Sequence, residues 1–260
     1  MIQPEMLQKY FPPYLSESRI YQKYMLKEYL QLLILDYLTT TPYMRKIVFI
    51  GGTNLRLTKG IDRFSEDLDF DCKDMSQDKF MVMTDGIINY LLRNGYHVEP
   101  RDKINPNMKA FRRNIYFPEL LFNLGLSGYR NERFLIKIES QDQQIEYPRK
   151  MANIKGCGFF FSFPVPTDQV MCAMKISALL SRQKGRDFYD TMFLMGQTTP
   201  EYSFLSAKCG INNMDELKKT FSDLLIKVDL NKKAKDFGHL VFQERNSNRI
   251  LLFGEFVEGL

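Results

Sequence analysis

Apolar and polar residues follow two different periods along this chain, and the change of period predicts a mixed α and β fold. Apolar runs and strict alternation are typical of strands, whereas apolar positions spaced near 3.6 residues are typical of helices. The predicted strands lie at 47–50, 67–71, 111–117, 133–140 and 159–163. The predicted helices lie at 16–37, 78–94, 168–182, 215–226 and 246–256.

The balance of these elements changes near Pro166, where two prolines end the last predicted strand and helical sequence follows. We therefore place a domain boundary there. The predicted organisation is an N-terminal helical segment at 1–44, a mixed core at 45–166 and a helical C-terminal domain at 167–260 that contributes to the active site.

Three carboxylates share one face of the predicted strand at 67–71. The period of two places Asp67, Asp69 and Asp71 on the same side. Clustered acids repel one another, and a fold tolerates them at a solvated edge or around a cation. The glycine turn at 51–53, which follows the buried strand at 47–50, lets a phosphate approach the backbone. Together, the glycine turn and the acidic strand predict a site for a triphosphate and a metal. The alternative interpretation is a tight turn followed by a solvated acidic strand.

A fourth carboxylate lies near the end of the predicted strand at 133–140. Lys137 and Glu139 share one face of that strand, and Ile136 and Ile138 share the other. Glu139 is therefore a candidate third metal ligand. A Lys/Glu pair on an edge strand is the alternative interpretation.

Basic residues cluster at the end of the predicted helix at 168–182. Spacings of four and seven residues stack side chains on one helix face, and four cations fall on or just after this face. They are Lys175, Arg182, Lys184 and Arg186. Such a cluster suits a triphosphate or an RNA backbone, although cations at a helix C-terminus also meet its dipole favourably.

Composition and charge limit the partners and the cellular location expected for this chain. The formal net charge of +5 permits a polyanionic partner without requiring one. The four cysteines and two histidines lack zinc-site spacing, which favours reduced thiols and a cytoplasmic location. No signal peptide is recognisable, and no apolar run approaches the ~20 residues of a membrane span.

Four segments, in this order, resemble the AbiEii/AbiGii nucleotidyltransferase toxins, which are polymerase-beta-type nucleotidyltransferases. They are GGTNLRL at 51–57, RFSEDLDF at 63–70, IKIE at 136–139, and KISALLSR at 175–182 continuing into GRDFYD at 185–190. The resemblance implies an α+β fold with a mixed central sheet flanked by helices, a nucleotidyltransferase core at 45–166 and a mainly helical C-terminal region.

The resemblance also implies roles for individual residues. Asp67 and Asp69 would bind divalent metal, and Lys175 and Asp187 would complete the catalytic set. The glycine turn would hold the phosphates, and Arg63 or Ser65 would brace them or the loop. The implied nucleotide-binding residues are Gly51, Gly52, Thr53, Arg56, Arg63, Ser65, Arg182 and Arg186.

The implied activity is transfer of a nucleoside monophosphate from an NTP to an acceptor hydroxyl. The expected metal is Mg²⁺, with Mn²⁺ as an alternative, and the expected acceptor is an RNA 3′ end, that of tRNA above all. A cognate antitoxin is an expected partner, and no membrane is. Two alternatives remain open: a nucleotidyltransferase acting on a small molecule or a protein, and an inactive module that binds nucleotide or RNA.

Overall fold

The structure, a computed structural model, describes residues 1–102 and 110–260 and has a mixed α+β fold. These residues form two compact units that interleave in sequence. The first comprises Met1–Gly60, Phe64–Gln144 and Met151–Val165; the second comprises Ile61–Arg63, Ile145–Lys150 and Pro166–Leu260. The long segment of the second unit thus begins where the sequence becomes mainly helical.

A five-stranded mixed sheet organises the first unit. Its strands are β1 Ile47–Ile50, β2 Asp67–Cys72, β3 Glu99–Pro100, β4 Phe111–Tyr116 and β5 Leu135–Ser140. Their order is β1-β2-β5-β4-β3, with β2 and β5 parallel and the other neighbours antiparallel. A separate pair, β6 Arg149–Gly156 and β7 Phe159–Pro166, forms a two-stranded sheet that lies mostly in this unit.

Alternation along β2 separates an apolar face from an acidic face. Leu68 and Phe70 are buried, and the Phe70 ring lies 5.8 Å from that of Phe49 and 6.1 Å from that of Phe163. These aromatic contacts bury one side of the strand in the core. Because successive side chains point to opposite faces, the aspartates of β2 must lie on the other side.

Six α-helices belong to the described residues of the first unit. They are α1 Pro4–Gln8, α2 Pro13–Ser16, α3 Arg19–Thr39, α4 Gly51–Lys59, α5 Gln77–Arg93 and α6 Leu120–Asn123. The helix predicted at 16–37 begins later, as α3, because the chain leaves helical geometry at Ser18, whose extended φ and ψ place it at the N-cap position.

The second unit is helical. Its α-helices are α7 Asp168–Arg182, α8 Gly185–Met195, α9 Tyr202–Cys209, α10 Met214–Leu225, α11 Leu230–Phe237 and α12 Phe253–Glu258. The α-helix predicted at 246–256 is wrong in its first part, where residues Glu244–Leu252 form a 3₁₀ helix before α12. In the described ranges, no helix combines the length and apolarity needed to cross a bilayer.

Candidate active site

The turn from β1 into α4 brings backbone against an acidic side chain. Gly51 has φ of +83°, a conformation in which any side chain is strained. A Cβ atom at Gly51 would also overlap the carboxylate of Asp69. Glycine therefore satisfies two requirements here, and the start of α4 lies directly against β2.

Two buried polar side chains fix the start of α4 to the sheet. The Thr53 hydroxyl donates to the carbonyl oxygen of Asp67 at 2.5 Å, and the Asn54 amide donates to the carbonyl oxygen of Phe49 at 2.6 Å. Because the Thr53 side chain has a backbone partner, the donors that this turn offers to a phosphate are the N–H groups at the helix start, Gly51 and Gly52 included.

The acidic face of β2 presents two partly exposed carboxylates and one that is buried. Asp67 and Asp69 are both partly exposed, and they share the face opposite the apolar core. Asp71 is buried and accepts a hydrogen bond from the backbone N–H of Gln143 at 2.9 Å. The first two are therefore the aspartates of this strand positioned for chemistry.

Two cations on β5 and β4 contact Asp67 and Glu139. In the parallel register, Lys137 lies opposite Asp67 and Glu139 lies opposite Asp69. The Lys137 ammonium is 3.0 Å from Asp67 Oδ2 and 3.8 Å from Glu139 Oε1. Arg112, opposite Glu139 on β4, donates to Glu139 Oε1 at 2.6 Å. The sheet thus carries a row of alternating charges rather than a bare acidic patch.

The chemistry of this face fits a hard divalent cation. Asp67 and Asp69 supply the carboxylate oxygens that Mg²⁺ prefers, and the backbone of Gly51 packs directly against Asp69. Across residues 1–102 and 110–260, no group of three or more His, Cys, Asp and Glu side chains is placed to hold a metal. Glu139, the predicted third ligand, takes its shortest bond from Arg112, and its role toward metal stays a prediction.

Two further predicted residues of the first unit are tied to α3. Arg56 makes a two-pronged ion pair with Glu28, with N–O distances of 2.9 and 3.2 Å. The backbone carbonyl of Ser65 accepts from the Gln31 amide at 3.1 Å. Both contacts brace segments that follow the glycine turn. A direct contact of either residue with nucleotide stays a prediction.

In the second unit, a buried carboxylate binds two buried cations. Arg63 donates to both oxygens of Asp190 at 2.7 Å from Nε and Nη2, and the Lys175 ammonium is 2.8 Å from Asp190 Oδ2. All three side chains are at most 7% exposed. A backbone bridge to Val241 holds the short segment that carries Arg63.

Opposing effects determine the ionisation of this carboxylate. Burial by itself raises the pKa of Asp190, but the charges and hydrogen bonds of Arg63 and Lys175 outweigh burial and lower the pKa to about 2. Asp190 is therefore ionised at neutral pH. The three groups carry one net positive charge, and the Lys175 ammonium has two donors beyond its bond to Asp190.

Asp187 has a local structural role at the start of α8. Its carboxylate is buried, accepts from Arg182 Nη2 at 2.7 Å and accepts from the backbone N–H of Lys184 at 3.2 Å. An acid three residues into a helix commonly caps it in this way. Arg186, on the same helix, is half-buried. The catalytic role of Asp187 stays a prediction.

The structure adds two residues to which the sequence analysis assigned no role. Asp190 holds Lys175 in the second unit, and Lys137 contacts Asp67 in the first. Asp190 is the last residue of the GRDFYD segment, so the sequence motif contained the signal for this residue. Lys137 shares a strand face with Glu139, but strand periodicity could not tell which acid it meets.

Two solved structures share this fold. MenT4, a nucleotidyltransferase toxin from Mycobacterium tuberculosis H37Rv, aligns with a TM-score of 0.61 and 17% identity over 100% of this chain and 91% of its own. JHP933 from Helicobacter pylori aligns with a TM-score of 0.53 and 19% identity over 91% of this chain and 92% of its own. At these identities the similarity establishes the fold alone. No curated protein sequence matches the chain significantly.

The sequence itself matches a family model. The match, described as nucleotidyl transferase AbiEii toxin of type IV toxin–antitoxin systems, covers residues 33–224. This range contains the whole mixed sheet, the glycine turn and helices α7 and α8, and therefore every predicted site residue. The chain belongs to the AbiEii family of nucleotidyltransferase toxins of type IV toxin–antitoxin systems.

Proposed function

We propose that this chain is a metal-dependent enzyme that transfers a nucleoside monophosphate from an NTP to the 3′ end of an RNA, with tRNA as the leading candidate. In this reaction the acceptor hydroxyl oxygen attacks the α-phosphorus, and the bond from that phosphorus to the pyrophosphate breaks. The hydroxyl proton is released to solvent, and pyrophosphate is the second product.

The packing of Gly51 on Asp69 is the observation that carries the proposal. It places the N–H groups that begin α4 directly beside the carboxylates of β2. A helix start attracts phosphate, and carboxylates attract the divalent cation that accompanies a triphosphate. The start of α4 and the adjacent carboxylates thus suit the phosphates and the divalent cation of a metal–nucleotide complex.

Asp67 and Asp69 would hold the metal, which when bound neutralises charge on the triphosphate and activates the acceptor hydroxyl. The backbone at Gly51 and Gly52 would orient the phosphates. In such phosphoryl transfers, positioning and charge stabilisation supply most of the rate. We therefore assign no side chain of this protein as a nucleophile.

The second unit carries two cations that are suited to bind a polyanion. Lys175 is held in place by Asp190, and its remaining N–H donors suit a phosphate oxygen. Arg182 is half-exposed and fixed by Asp187. Ion pairs that immobilise a long cationic side chain lower the entropy cost of binding an anion. We propose that both residues contact nucleotide or RNA phosphates.

Labelled nucleotides provide the direct test. Purified protein is incubated with total tRNA, Mg²⁺ and each labelled NTP in turn. The Asp69→Ala variant serves as the inactive form, and Asp78→Ala, which removes an exposed acid from the first turn of α5, serves as the matched control. We expect label in RNA from the unmodified protein and from Asp78→Ala, and at least about a hundredfold less from Asp69→Ala.

The result also discriminates between the alternatives. If the label appears on a protein or a small molecule, that molecule and not RNA is the acceptor. Undiminished labelling by Asp69→Ala would contradict the assignment of the β2 carboxylates. Growth arrest on expression, relieved by Asp69→Ala but not by Asp78→Ala, would connect the reaction to toxicity.

A further inference from the structure

We propose that Lys137 is a built-in counter-cation of the acidic face, which a divalent metal must displace from Asp67 before it binds. The inference rests on the proposed function, since it concerns metal binding at the same carboxylates. It assigns to Lys137 a positioning role that the metal-binding aspartates alone do not imply.

The contact geometry identifies Lys137 as the resident cation. Its ammonium is 3.0 Å from Asp67 Oδ2 and 3.8 Å from Glu139 Oε1, so it lies between two carboxylates of adjacent strands. The parallel register places Lys137 directly opposite Asp67. The ammonium group in this position contacts the same Asp67 carboxylate that would bind a metal.

The charges on this face show why such a cation matters. Asp67, Asp69 and Glu139 carry three negative charges, and Lys137 and Arg112 carry two positive ones, which leaves a net charge of −1. Arg112 is engaged with Glu139 at 2.6 Å. Loss of Lys137 would thus remove the cation that lies between Asp67 and Glu139, and like charges on neighbouring side chains repel.

The need to displace Lys137 affects how strongly the site binds metal alone and metal together with a triphosphate. A divalent ion arriving alone must break the Lys137–Asp67 ion pair, whereas an ion arriving with a triphosphate brings an anion that can accept the released ammonium. The contact is partly exposed, with 29% of the Lys137 side chain accessible, so the ammonium has room to move. We therefore expect weak binding of free metal and much stronger binding of metal with NTP.

Direct titration of the 260-residue protein with Mn²⁺, without nucleotide, tests the proposal. Free Mn²⁺ is followed by electron paramagnetic resonance, so no catalytic activity is needed. Removal of a unit charge about 4 Å from a divalent ion changes its affinity by at least about tenfold. We expect Lys137→Met to bind Mn²⁺ at least about tenfold more tightly than the unmodified protein.

Two variants control for the loss of charge. Lys137→Arg keeps the positive charge at the site and is expected to retain the original Mn²⁺ affinity to within a factor of about three. Lys155→Met removes a lysine that is exposed on β6 and has no ion pair with any described residue, and it is expected to change nothing. A thermal melt in EDTA shows that each variant is folded.

The outcomes separate this inference from the proposed function. If Mn²⁺ binding depends on Asp69 but Lys137→Met binds no more tightly than the unmodified protein, the counter-cation role is wrong and the metal site stands. Weaker binding by Lys137→Met would overturn the inference in the same way. If Asp69→Ala leaves Mn²⁺ binding unchanged, the metal site itself is wrong.

Discussion

Gly51 meets two steric conditions that no other residue type satisfies together. Its φ of +83° lies in the region that side chains avoid, and a Cβ atom would overlap the Asp69 carboxylate. Gly60, at the other end of α4, has a φ of +69°, but no heavy atom lies within 4 Å of the place that a Cβ would take. A side chain at Gly60 would therefore meet backbone strain alone, whereas a side chain at Gly51 would meet both backbone strain and close packing.

Substitution of these glycines by alanine should have unequal effects on stability. Gly60→Ala pays only for the left-handed backbone, roughly 1–2 kcal/mol. Gly51→Ala adds an overlap with Asp69, for a total of roughly 2–5 kcal/mol. Chemical denaturation measures both free energies of unfolding. Equal losses for the two variants would show that the start of α4 does not lie against β2.

At the scale of elements, one buried carboxylate joins three segments of the second unit. Asp190 on α8 binds Arg63, which lies 127 residues earlier in the chain, and Lys175 on α7. Replacement of a buried partner leaves an uncompensated charge, which is more costly than loss of an exposed pair. The pair of Lys150 with Asp168, whose side chains are 45% and 34% exposed, offers the comparison.

Asp190→Asn should therefore destabilise the protein by roughly 3–5 kcal/mol, whereas Asp168→Asn should cost less than about 1 kcal/mol. The pKa of Asp190 is lowered to about 2 in the folded protein, against an ordinary value of 3.8 for an aspartate carboxyl. A lowered pKa adds stability above pH 3.8 that disappears as the pH falls toward 2, here roughly 2 kcal/mol.

Urea denaturation between pH 2 and pH 6 measures both effects. The difference in free energy of unfolding between the unmodified protein and Asp190→Asn should be largest above pH 4 and should shrink as the pH falls to 2. A difference that stays constant over this range would show that ionisation of Asp190 does not contribute to stability.

At the scale of the whole chain, cysteine burial determines which thiols react. Cys72, Cys157 and Cys172 are buried, and burial raises the pKa of each thiol to about 12. Cys209 is half-buried. Because the thiolate is the reactive form, the three buried thiols should resist modification in the folded state.

Labelling with Ellman's reagent at pH 8 should modify one thiol rapidly in the folded protein and all four after unfolding. Cys209→Ser should abolish the rapid phase and leave the other three thiols unchanged. Rapid modification of two or more thiols, or a rapid phase that persists in Cys209→Ser, would contradict the buried placement of the other cysteines.

Several elements could be predicted from local pattern and others could not. The alternation that predicts a strand at 67–71 is observed as β2, because one face is buried against aromatic residues. Strand β6 was missed because its sequence is largely exposed, with Ile154 as its buried residue. Its turn into β7 carries positive φ at Cys157 and Gly158, as in a two-residue hairpin, so the glycines around it were the available signal.

Local sequence is enough to specify the shared face of Asp67 and Asp69 and the glycine turn at the start of α4. Both follow from local geometry, since the period of a strand and the conformational freedom of glycine do not depend on distant contacts. The partners of the charged side chains, in contrast, follow from the tertiary fold. Lys137 meets Asp67 across 70 residues, and Arg63 meets Asp190 across 127. Such pairs depend on strand register and on the packing of segments far apart in the chain, which no local pattern specifies.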